Sequence, residues 1–412
     1  MTSNYKKIGD YIRLVDVRNK DLTVETLLGL SITKEFIPSV ANTVGTNMAN
    51  YKIIKKGQFA CSLMQVRRDK RIPVALQSDF DEAIISQAYP VFEVVDSESL
   101  EPEYLMMWMS RSEFDRHACF LAVGGVRGSL EWDDFCDMEL PIPSIEKQRE
   151  IVREYKVVSD RIALNEQLTQ KLEKSAQAIY KQWFVDFEFP ISREYAESIG
   201  KPELEGRPYK SSGGEVEYSE RLEKEIPINW RTISLGDIAQ EKKESFKLRS
   251  GFQPTNYIGL EHMPKKSISL SCWEEISSIG SNKSKFFEND ILFGKLRPYF
   301  HKVGVAFVDG ICSTDIIVCQ SKANNNFGLL LSLMSSVAFV DYSNSGWSGT
   351  KMPRTSWDFM TRFELAIPKD NNLTTLFNSL VISLVKYLKQ LALENRQLTD
   401  FAEIIKLKMS KV

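Results

Sequence analysis

The 412-residue chain has few of the residues that build metal centres and disulfide frameworks. It contains three histidines and six cysteines, and no two cysteines form a C-x-x-C pair. We therefore expect no metal site, and scattered cysteines are typical of a protein kept in the reducing cytosol. The chain also has no G-x-x-x-x-G-K-[ST] phosphate loop, no dinucleotide-binding G-x-G-x-x-G, and no Asp/Asn-Pro-Pro-aromatic motif. These absences predict no catalytic residues and no bound cofactor.

Long apolar runs and a strong net charge are also missing. The longest uncharged apolar stretch, residues 327–340, has 14 residues. This length predicts one buried helix that is too short to span a bilayer. The N-terminus, MTSNYKKIGD, has no apolar signal-peptide core, so we expect a cytoplasmic protein without a membrane partner. The net charge of −2 excludes no class of partner, because local clustering of charge decides what a surface binds.

The chain contains an internal repeat. KIGDYI at 7–12 matches SLGDIA at 234–239, and YLMMWMSRSEF at 104–114 matches LLLSLMSSVAF at 329–339. EWDDFCDMELPIP at 131–143 matches SWDFMTRFELAIP at 356–368, and NEQLTQ at 165–170 matches NRQLTD at 395–400. These matches occur in the same order at offsets between 225 and 232, which predicts two copies of one unit.

A loop rich in Lys and Arg, the basic loop, occurs once in each copy. GQFACSLMQVRRDKRIPVAL at 57–76 aligns with DILFGKLRPYFHKVGVAF at 290–307, and both segments predict a strand, a basic loop and a second strand. Basic loops are often merely solubilising, but two equivalent ones in a net-acidic chain favour a repeated surface for nucleic acid. The candidate residues of this loop are Arg67, Arg68, Lys70 and Arg71 in the first copy, and Lys295, Arg297, Tyr299 and Lys302 in the second.

A second loop in each copy adds further cations. GGVRGSL at 124–130 exposes Arg127, and the equivalent segment at 345–357 exposes Lys351 and Arg354. Trp132 and Trp357 follow these loops, and we interpret them as core anchors rather than base-stacking platforms.

Each copy ends in a long heptad pattern with alternating spacings of three and four residues, which is typical of a coiled-coil seam. Each seam covers 33 residues, or about 50 Å of helix. The two helices are predicted to pack on each other and to hold two DNA-reading domains about one DNA turn apart. Antiparallel packing would also give the chain a pseudo-two-fold axis. The first seam is Ile151, Tyr155, Val158, Ile162, Asn165, Thr169, Leu172, Ala176, Ile179 and Trp183. The second is Phe377, Val381, Leu384, Leu388, Leu391, Asn395, Leu398, Ala402, Ile405 and Met409.

The two asparagines on the seams allow two interpretations. Asn165 and Asn395 either set the register of the helices or are tolerated polar residues. Together, the patterns predict a mixed α/β protein with two tandem recognition domains separated by two long antiparallel helices. The expected boundaries are 1–143 for the first domain, 144–189 for the first helix, 190–229 for a linker, 230–368 for the second domain and 369–412 for the second helix.

Several of these segments resemble one family, the specificity (S) subunits of type I restriction–modification systems. The resemblance covers essentially the whole chain. It rests on IPINWRTISLGDIA (226–239), NDILFGKLRPYF (289–300), FCDMELPIPSIEKQREIV (135–152), AQAIYKQWFVDFEF (176–189) and EGRPYKSSGG (205–214).

The resemblance implies a non-catalytic subunit that recognises a bipartite duplex DNA target. Each recognition domain would read one half of the site, mainly in the major groove. Two methyltransferase subunits would dock on the chain, and restriction/translocase subunits would join them. S-adenosylmethionine, ATP and magnesium would belong to those partners.

Two other classes of function stay open at this point. The chain could be a fused DNA-modifying enzyme with atypical motifs, which would bind S-adenosylmethionine by itself. It could also be a coiled-coil adaptor between proteins, which would select no DNA sequence.

Overall fold

A computed structural model describes residues 4–39, 46–124, 128–246, 253–346 and 352–411. Two of the predicted DNA-binding residues, Arg127 and Lys351, lie outside these ranges. The chain forms two compact units. Unit 1 comprises Met1–Ile162 and Gln397–Val412, and unit 2 comprises Ala163–Arg396.

Unit 1 combines short strands with short helices. In the described ranges its strands are β1 (Tyr5–Lys7), β2 (Ile12–Val15), β3 (Leu27–Leu30), β4 (Phe36–Pro38), β5 (Lys52–Lys55), β6 (Phe59–Cys61), β7 (Val74–Leu76), β8 (Glu82–Ile85), β9 (Val91–Val94) and β10 (Glu139–Pro141). Its helices are α1 (Val66–Asp69), α2 (Pro102–Met109), α3 (Ser112–Leu121) and α4 (Trp132–Asp137). The long helix α5 (Ile145–Tyr180) begins in unit 1 and ends in unit 2, where a π-helical turn at Lys181–Val185 follows it.

Unit 2 also combines short strands with short helices. Its strands are β11 (Val216–Ser219), β12 (Lys224–Pro227), β13 (Trp230–Ser234), β14 (Ala239–Glu241), β15 (Ser245–Phe246), β16 (Thr255–Ile258), β17 (Ser269–Leu270), β18 (Glu274–Ile276), β19 (Lys283–Phe286), β20 (Ile291–Gly294), β21 (Val303–Ala306), β22 (Gly310–Cys312), β23 (Ile316–Ser321) and β24 (Glu364–Pro368). Its helices are α6 (Arg193–Ser198), α7 (Leu235–Ile238), α8 (Phe327–Met334), α9 (Val337–Ser345) and α10 (Trp357–Met360). The second long helix, α11 (Asn372–Lys408), begins in unit 2 and ends in unit 1.

The strand pairing of unit 1 recurs in unit 2. One sheet has the order β2-β9-β6-β7 in unit 1, and its counterpart contains β14-β23-β20-β21. The register is the same too: Lys7 on β1 lies opposite Glu139 on β10, and the equivalent Ser234 on β13 lies opposite Glu364 on β24. In the other sheet of each unit, β3 runs parallel to β8 as β16 does to β22. The prediction of two tandem copies of one α/β fold is therefore confirmed.

The strands that flank the basic loops are core strands. All four residues of β20 and of β21 are buried, so these strands are continuously apolar rather than alternating. In unit 1, the rings of Phe59 and Phe92 stack 5.0 Å apart on neighbouring strands of the sheet. A rigid core thus fixes the point at which each basic loop leaves its sheet.

The prediction of one helix over residues 327–340 is wrong. The segment forms two helices, α8 and α9, which are separated at Ser335 and Ser336. The Ser336 side chain accepts a hydrogen bond from the Phe339 amide at 3.2 Å and so caps the start of α9. Because Ser336 caps a new helix, the previous helix ends before it. The apolar periodicity of the segment gave no sign of this break.

The two long helices are antiparallel within each unit. In unit 1, the Lys408 ammonium contacts the Glu154 carboxylate at 2.9 Å. In unit 2, Asn165 contacts Asn395, whereas Tyr180, further along α5, lies 6.4 Å from the earlier residue Phe377 of α11. Residue numbers rise along one helix as they fall along the other, so the helices run antiparallel, as predicted.

One helical segment in the described ranges, Asn372–Lys411, is long and apolar enough by length and composition to cross a membrane. Several of its apolar residues are buried against protein, including Phe377, Val381 and Leu388 in unit 2 and Ile405 in unit 1. Part of the apolar content of this helix therefore packs into the protein cores.

The segment from 190 to 229 is more structured than its Gly-, Pro- and Glu-rich composition predicts. It contains α6 and the β11–β12 hairpin, and it buries a small cluster of Ile191, Ala196 and Tyr209. The ring of Tyr209 stacks on Phe189, which in turn stacks on Trp230. The aromatic contacts anchor this segment to the rest of unit 2.

Candidate nucleic-acid interface

Each basic loop is a single helical turn between two residues with left-handed backbone. In unit 1, Gln65 at φ 62° and Lys70 at φ 53° flank α1. In unit 2, Arg297 at φ 52° and His301 at φ 53° flank the 3₁₀ turn Pro298–Phe300. Residues other than glycine rarely adopt this conformation, and such strain of roughly 1–3 kcal/mol per residue concentrates at functional sites. The same strained frame occurs in both copies.

A second loop holds the basic loop of unit 1 in place. The Leu130 amide donates to the Leu63 carbonyl at 2.9 Å, and the Arg67 amide donates to the Gly128 carbonyl at 3.4 Å. Gly128 itself packs closely on Arg67, since a Cβ there would lie 2.7 Å from the Arg67 Cβ. Glycine is therefore required at 128 for the two loops to approach.

The basic loop of unit 2 is also held by two hydrogen bonds to the second loop. The Thr355 amide donates to the Lys295 carbonyl at 3.1 Å, and the Arg297 amide donates to the Pro353 carbonyl at 2.7 Å. In both units the structure thus joins the two loops that the sequence singled out as basic.

The cations of unit 1 differ in how freely they present their charge. Arg67 donates through Nη1 to the Gly124 carbonyl at 3.1 Å, and Arg68 forms an ion pair with Asp69 at 2.6 Å. Lys70 and Arg71 are exposed, and neither has a polar side-chain partner among the described residues. These two side chains are the most available to an incoming anion.

In unit 2, cations lie beside aromatic rings. The Arg297 guanidinium lies 6.0 Å from the centre of the Phe300 ring, and its buried Nε has no hydrogen-bond partner within the described ranges. The ring of Tyr299 is half exposed and lies 4.8 Å from that of Phe300. Lys295 is half-buried at the start of the same loop.

Arg354 lies on the second loop of unit 2. The backbone of Leu296 forms an antiparallel bridge with that of Arg354, so the two basic segments run side by side. The Arg354 guanidinium contacts the Asp315 carboxylate at 3.3 Å, and both side chains are partly exposed. An exposed pair of this kind is weak and can exchange its partner for a phosphate.

The Lys302 side chain is directed into the fold rather than into the solvent. Its ammonium donates to the Leu260 carbonyl at 2.5 Å, and partial burial lowers the pKa of this lysine. Its neighbour His301 is buried, and its Nε2 lies 2.8 Å from the Ser335 carbonyl oxygen. The DNA-binding role of Lys302 stays a prediction, and a contact with DNA would have to break a hydrogen bond.

One cation of this cluster was not identified from the sequence. The Lys265 ammonium lies 4.7 Å from the centre of the Phe300 ring, on the same aromatic group as Arg297. Lys265 comes from a segment far along the chain, next to a second lysine, and no motif marks it. Only the fold brings it to the basic loop.

The seam residues of both long helices all lie on buried or half-buried positions. Ile151, Val158 and Ile405 pack into the core of unit 1, and Phe377 and Leu388 pack into the core of unit 2. The heptad pattern therefore marks the inward faces of both helices.

The two seam asparagines meet in unit 2. Asn165 is almost completely buried, and its Nδ2 donates to the Asn395 Oδ1 at 2.8 Å. These residues are equivalent in the two copies, and equivalent positions of two antiparallel helices face each other at one register only. The contact favours the register interpretation over a tolerated polar residue.

Both tryptophans that follow the second loops pack inward. Trp132 stacks on Phe135 at 5.2 Å and also contacts Phe92. Trp357 packs against the core of unit 2. Both side chains are half-buried against the cores, in agreement with the core interpretation.

Comparison with known proteins shows which family part of this chain resembles. A family model described as the type I restriction modification DNA specificity domain matches residues 70–174. This range includes Lys70, Arg71 and the second loop of unit 1, and it extends along α5. Residues 70–174 are therefore similar to the DNA specificity domain of type I restriction–modification systems.

Curated relatives are specificity subunits of type I restriction enzymes. The chain is 30% identical over 151 residues to the HindI specificity subunit of Haemophilus influenzae. The matched residues are 36% of this chain and 32% of that protein. It is 29% identical over 147 residues to the EcoDI specificity subunit of Escherichia coli, covering 35% and 32%. The matched part thus spans about a third of the length of these relatives.

A solved structure extends the likeness in fold to the whole chain. The S subunit of a type I restriction–modification system from M. genitalium matches with a TM-score of 0.53 and 14% identity, over 98% of this chain and 95% of that one. The resemblance to type I specificity subunits, predicted from the sequence, is confirmed.

Proposed function

We propose that this protein is the DNA-sequence-specificity subunit of a type I restriction–modification complex and recognises a bipartite duplex target. Each unit reads one half of the target with its basic loop and the second loop bound to it. The observation that carries the proposal is the repeated loop frame. In both copies of the fold, cations lie on or beside a turn between two left-handed residues, and backbone hydrogen bonds join this basic loop to the second loop.

The chemistry of the loops suits duplex DNA. Lys70 and Arg71 offer charge to phosphates, and Arg297 offers a guanidinium that can donate two hydrogen bonds to the O6 and N7 of a guanine. The strained backbone fixes the positions from which these side chains extend. Part of the entropic cost of ordering the loops is therefore met on folding, which leaves a smaller cost for DNA binding.

In this proposal the chain itself performs no catalysis. Two methyltransferase subunits dock on the chain, and restriction/translocase subunits join them in the cytoplasm. S-adenosylmethionine, ATP and magnesium are bound by those partners.

Selection from a random pool of duplexes tests the proposed function. With the full chain and its methyltransferase partner, we expect a consensus of two short blocks separated by a gap of constant length. The binding constant should fall linearly with salt concentration on a double logarithmic scale, because phosphate contacts release counterions.

Two results would reject this function in favour of the other classes. A pool without any consensus, together with capture of other proteins by the long helices, would indicate an adaptor. Calorimetric binding of S-adenosylmethionine to the isolated chain would indicate a fused enzyme.

A further inference from the structure

The basic loops of the two units share one frame but carry different chemistry. At the central positions, the ion pair of Arg68 and Asp69 in unit 1 is replaced in unit 2 by the ring pair of Tyr299 and Phe300. Both pairs lie on the helical turn between the two left-handed residues. A charged pair in one copy thus corresponds to an apolar pair in the other.

The next two positions differ in the same direction. Lys70 is exposed, whereas the equivalent His301 is buried and bound to the Ser335 carbonyl. Arg71 is exposed, whereas the equivalent Lys302 has its ammonium bound to a backbone carbonyl. At these positions unit 1 offers charge to the solvent, and unit 2 has withdrawn it into the fold.

In unit 2, one aromatic side chain of the basic loop, Tyr299, is not covered by the neighbouring cations. Lys265 and Arg297 both lie over the Phe300 ring, at 4.7 and 6.0 Å from its centre. Phe300 is only partly exposed, while Tyr299 beside it is 51% exposed. A half-exposed ring flanked by cations can enter a groove of DNA while the cations contact the base edges or phosphates around it.

We propose that the two half-sites are bound by different physical chemistry. Lys70 and Arg71 of unit 1 anchor its half through charge on phosphates, in addition to the base contacts by which that unit reads its half. Unit 2 reads its half through an apolar contact between the Tyr299 ring and the 5-methyl group of a thymine. This inference rests on the proposed function and makes it more specific.

Thymine is the base that such a ring can distinguish. In the major groove, the thymine methyl is the apolar group at the base edges of unmodified DNA, and side-chain rings can pack on it. An exposed tyrosine at the tip of the loop therefore reads a feature that the cations beside it cannot read.

Replacing thymine by deoxyuracil tests the contact, because deoxyuracil pairs identically and lacks only the methyl group. The probe is the selected target duplex with all thymines of one half replaced, bound by the full chain with its methyltransferase partner. We expect binding to weaken about fourfold per contacted methyl when one half is substituted, and to change little when the other half is substituted.

Matched variants assign the effect to its residue. Tyr299→Ala should abolish the difference between thymine and deoxyuracil while leaving the salt dependence unchanged. Tyr218→Ala removes another exposed tyrosine of unit 2, on β11, and should keep the difference.

The charge contacts of unit 1 are tested by salt dependence. The double variant Lys70→Ala/Arg71→Ala should reduce the slope of log K against log salt by about two and leave the deoxyuracil effect intact. Lys201→Ala, an exposed lysine outside both loops, should leave the slope unchanged.

The outcomes separate this inference from the proposed function. If the complex selects a bipartite sequence but deoxyuracil acts on neither half, or equally on both halves, the inference is wrong and the function stands. The inference is also wrong if Tyr299→Ala retains the full deoxyuracil effect. If no sequence is selected, the function fails and the inference fails with it.

Discussion

The buried amide pair of Asn165 and Asn395 shows how a single residue can specify the fold. A hydrogen-bonded amide pair on an apolar seam costs stability compared with leucines, but it penalises every register that separates the two amides. The Asn165 side chain is nearly inaccessible to water, so its Nδ2 depends on the Asn395 Oδ1 as acceptor.

Changing one member of this pair should be worse than changing both. Asn395→Leu leaves the Asn165 amide buried without its acceptor, which should cost about 1–3 kcal/mol. The double variant Asn165→Leu/Asn395→Leu should be at least as stable as the single variant, because no polar group is left unsatisfied. Thermal unfolding followed by calorimetry measures the difference. A double variant with the summed loss of both single variants would contradict the register role.

At the scale of elements, each long helix is fastened to its unit by a buried amide side chain. Gln148 on α5 accepts the Glu101 amide at 2.9 Å and donates to the carbonyls of Ser99 and Pro143 at 3.1 and 3.0 Å. These bonds join the long helix to the start of α2. In unit 1 this fully buried side chain thus positions the fold on its helix together with the ion pairs of Arg149 to Glu98 and Glu101.

Unit 2 repeats the arrangement with an asparagine. Asn378 on α11 accepts the Gly328 amide at 2.8 Å and donates to the Asn324 carbonyl at 3.0 Å, at the start of α8. Asn324 is the equivalent of Ser99, and Asn378 is the equivalent of Gln148. The two copies have kept the contact while the side chain that makes it changed length.

Removing this contact should destabilise one unit. Gln148→Ala leaves a buried amide and two carbonyls without their partner, so we expect a loss of about 1–3 kcal/mol in the unfolding of unit 1. The control is Gln167→Ala, an exposed glutamine on the same helix, which should change stability by less than about 0.5 kcal/mol. Equal shifts in the calorimetric midpoints of the two variants would show that Gln148 carries no special role.

At the scale of the whole molecule, the duplication and the long helices could be predicted from the sequence. Repeated strings such as ELPIP and ELAIP align at one offset, and the heptad spacing is direct evidence for a buried helical seam. The loop conformations could not be predicted, because Gln65, Lys70, Arg297 and His301 are not glycines and give no sign of left-handed backbone. Lys265 and the inward direction of Lys302 were likewise hidden, since both depend on contacts between distant segments.

In the proposed function, each copy reads its own half of one target. The most direct test maps methylated adenines in DNA treated with the full chain and its methyltransferase partner, for the natural protein and for Arg297→Asn. Asparagine tolerates the left-handed backbone at 297, so the loop frame is kept while the guanidinium is lost.

For the natural protein we predict a bipartite site with a constant gap. In Arg297→Asn, discrimination should fall by about 1–3 kcal/mol at one base pair of one half, while the other half and the gap stay unchanged. A natural site without two separate halves, or relaxation that spreads over both halves in the variant, would contradict the account.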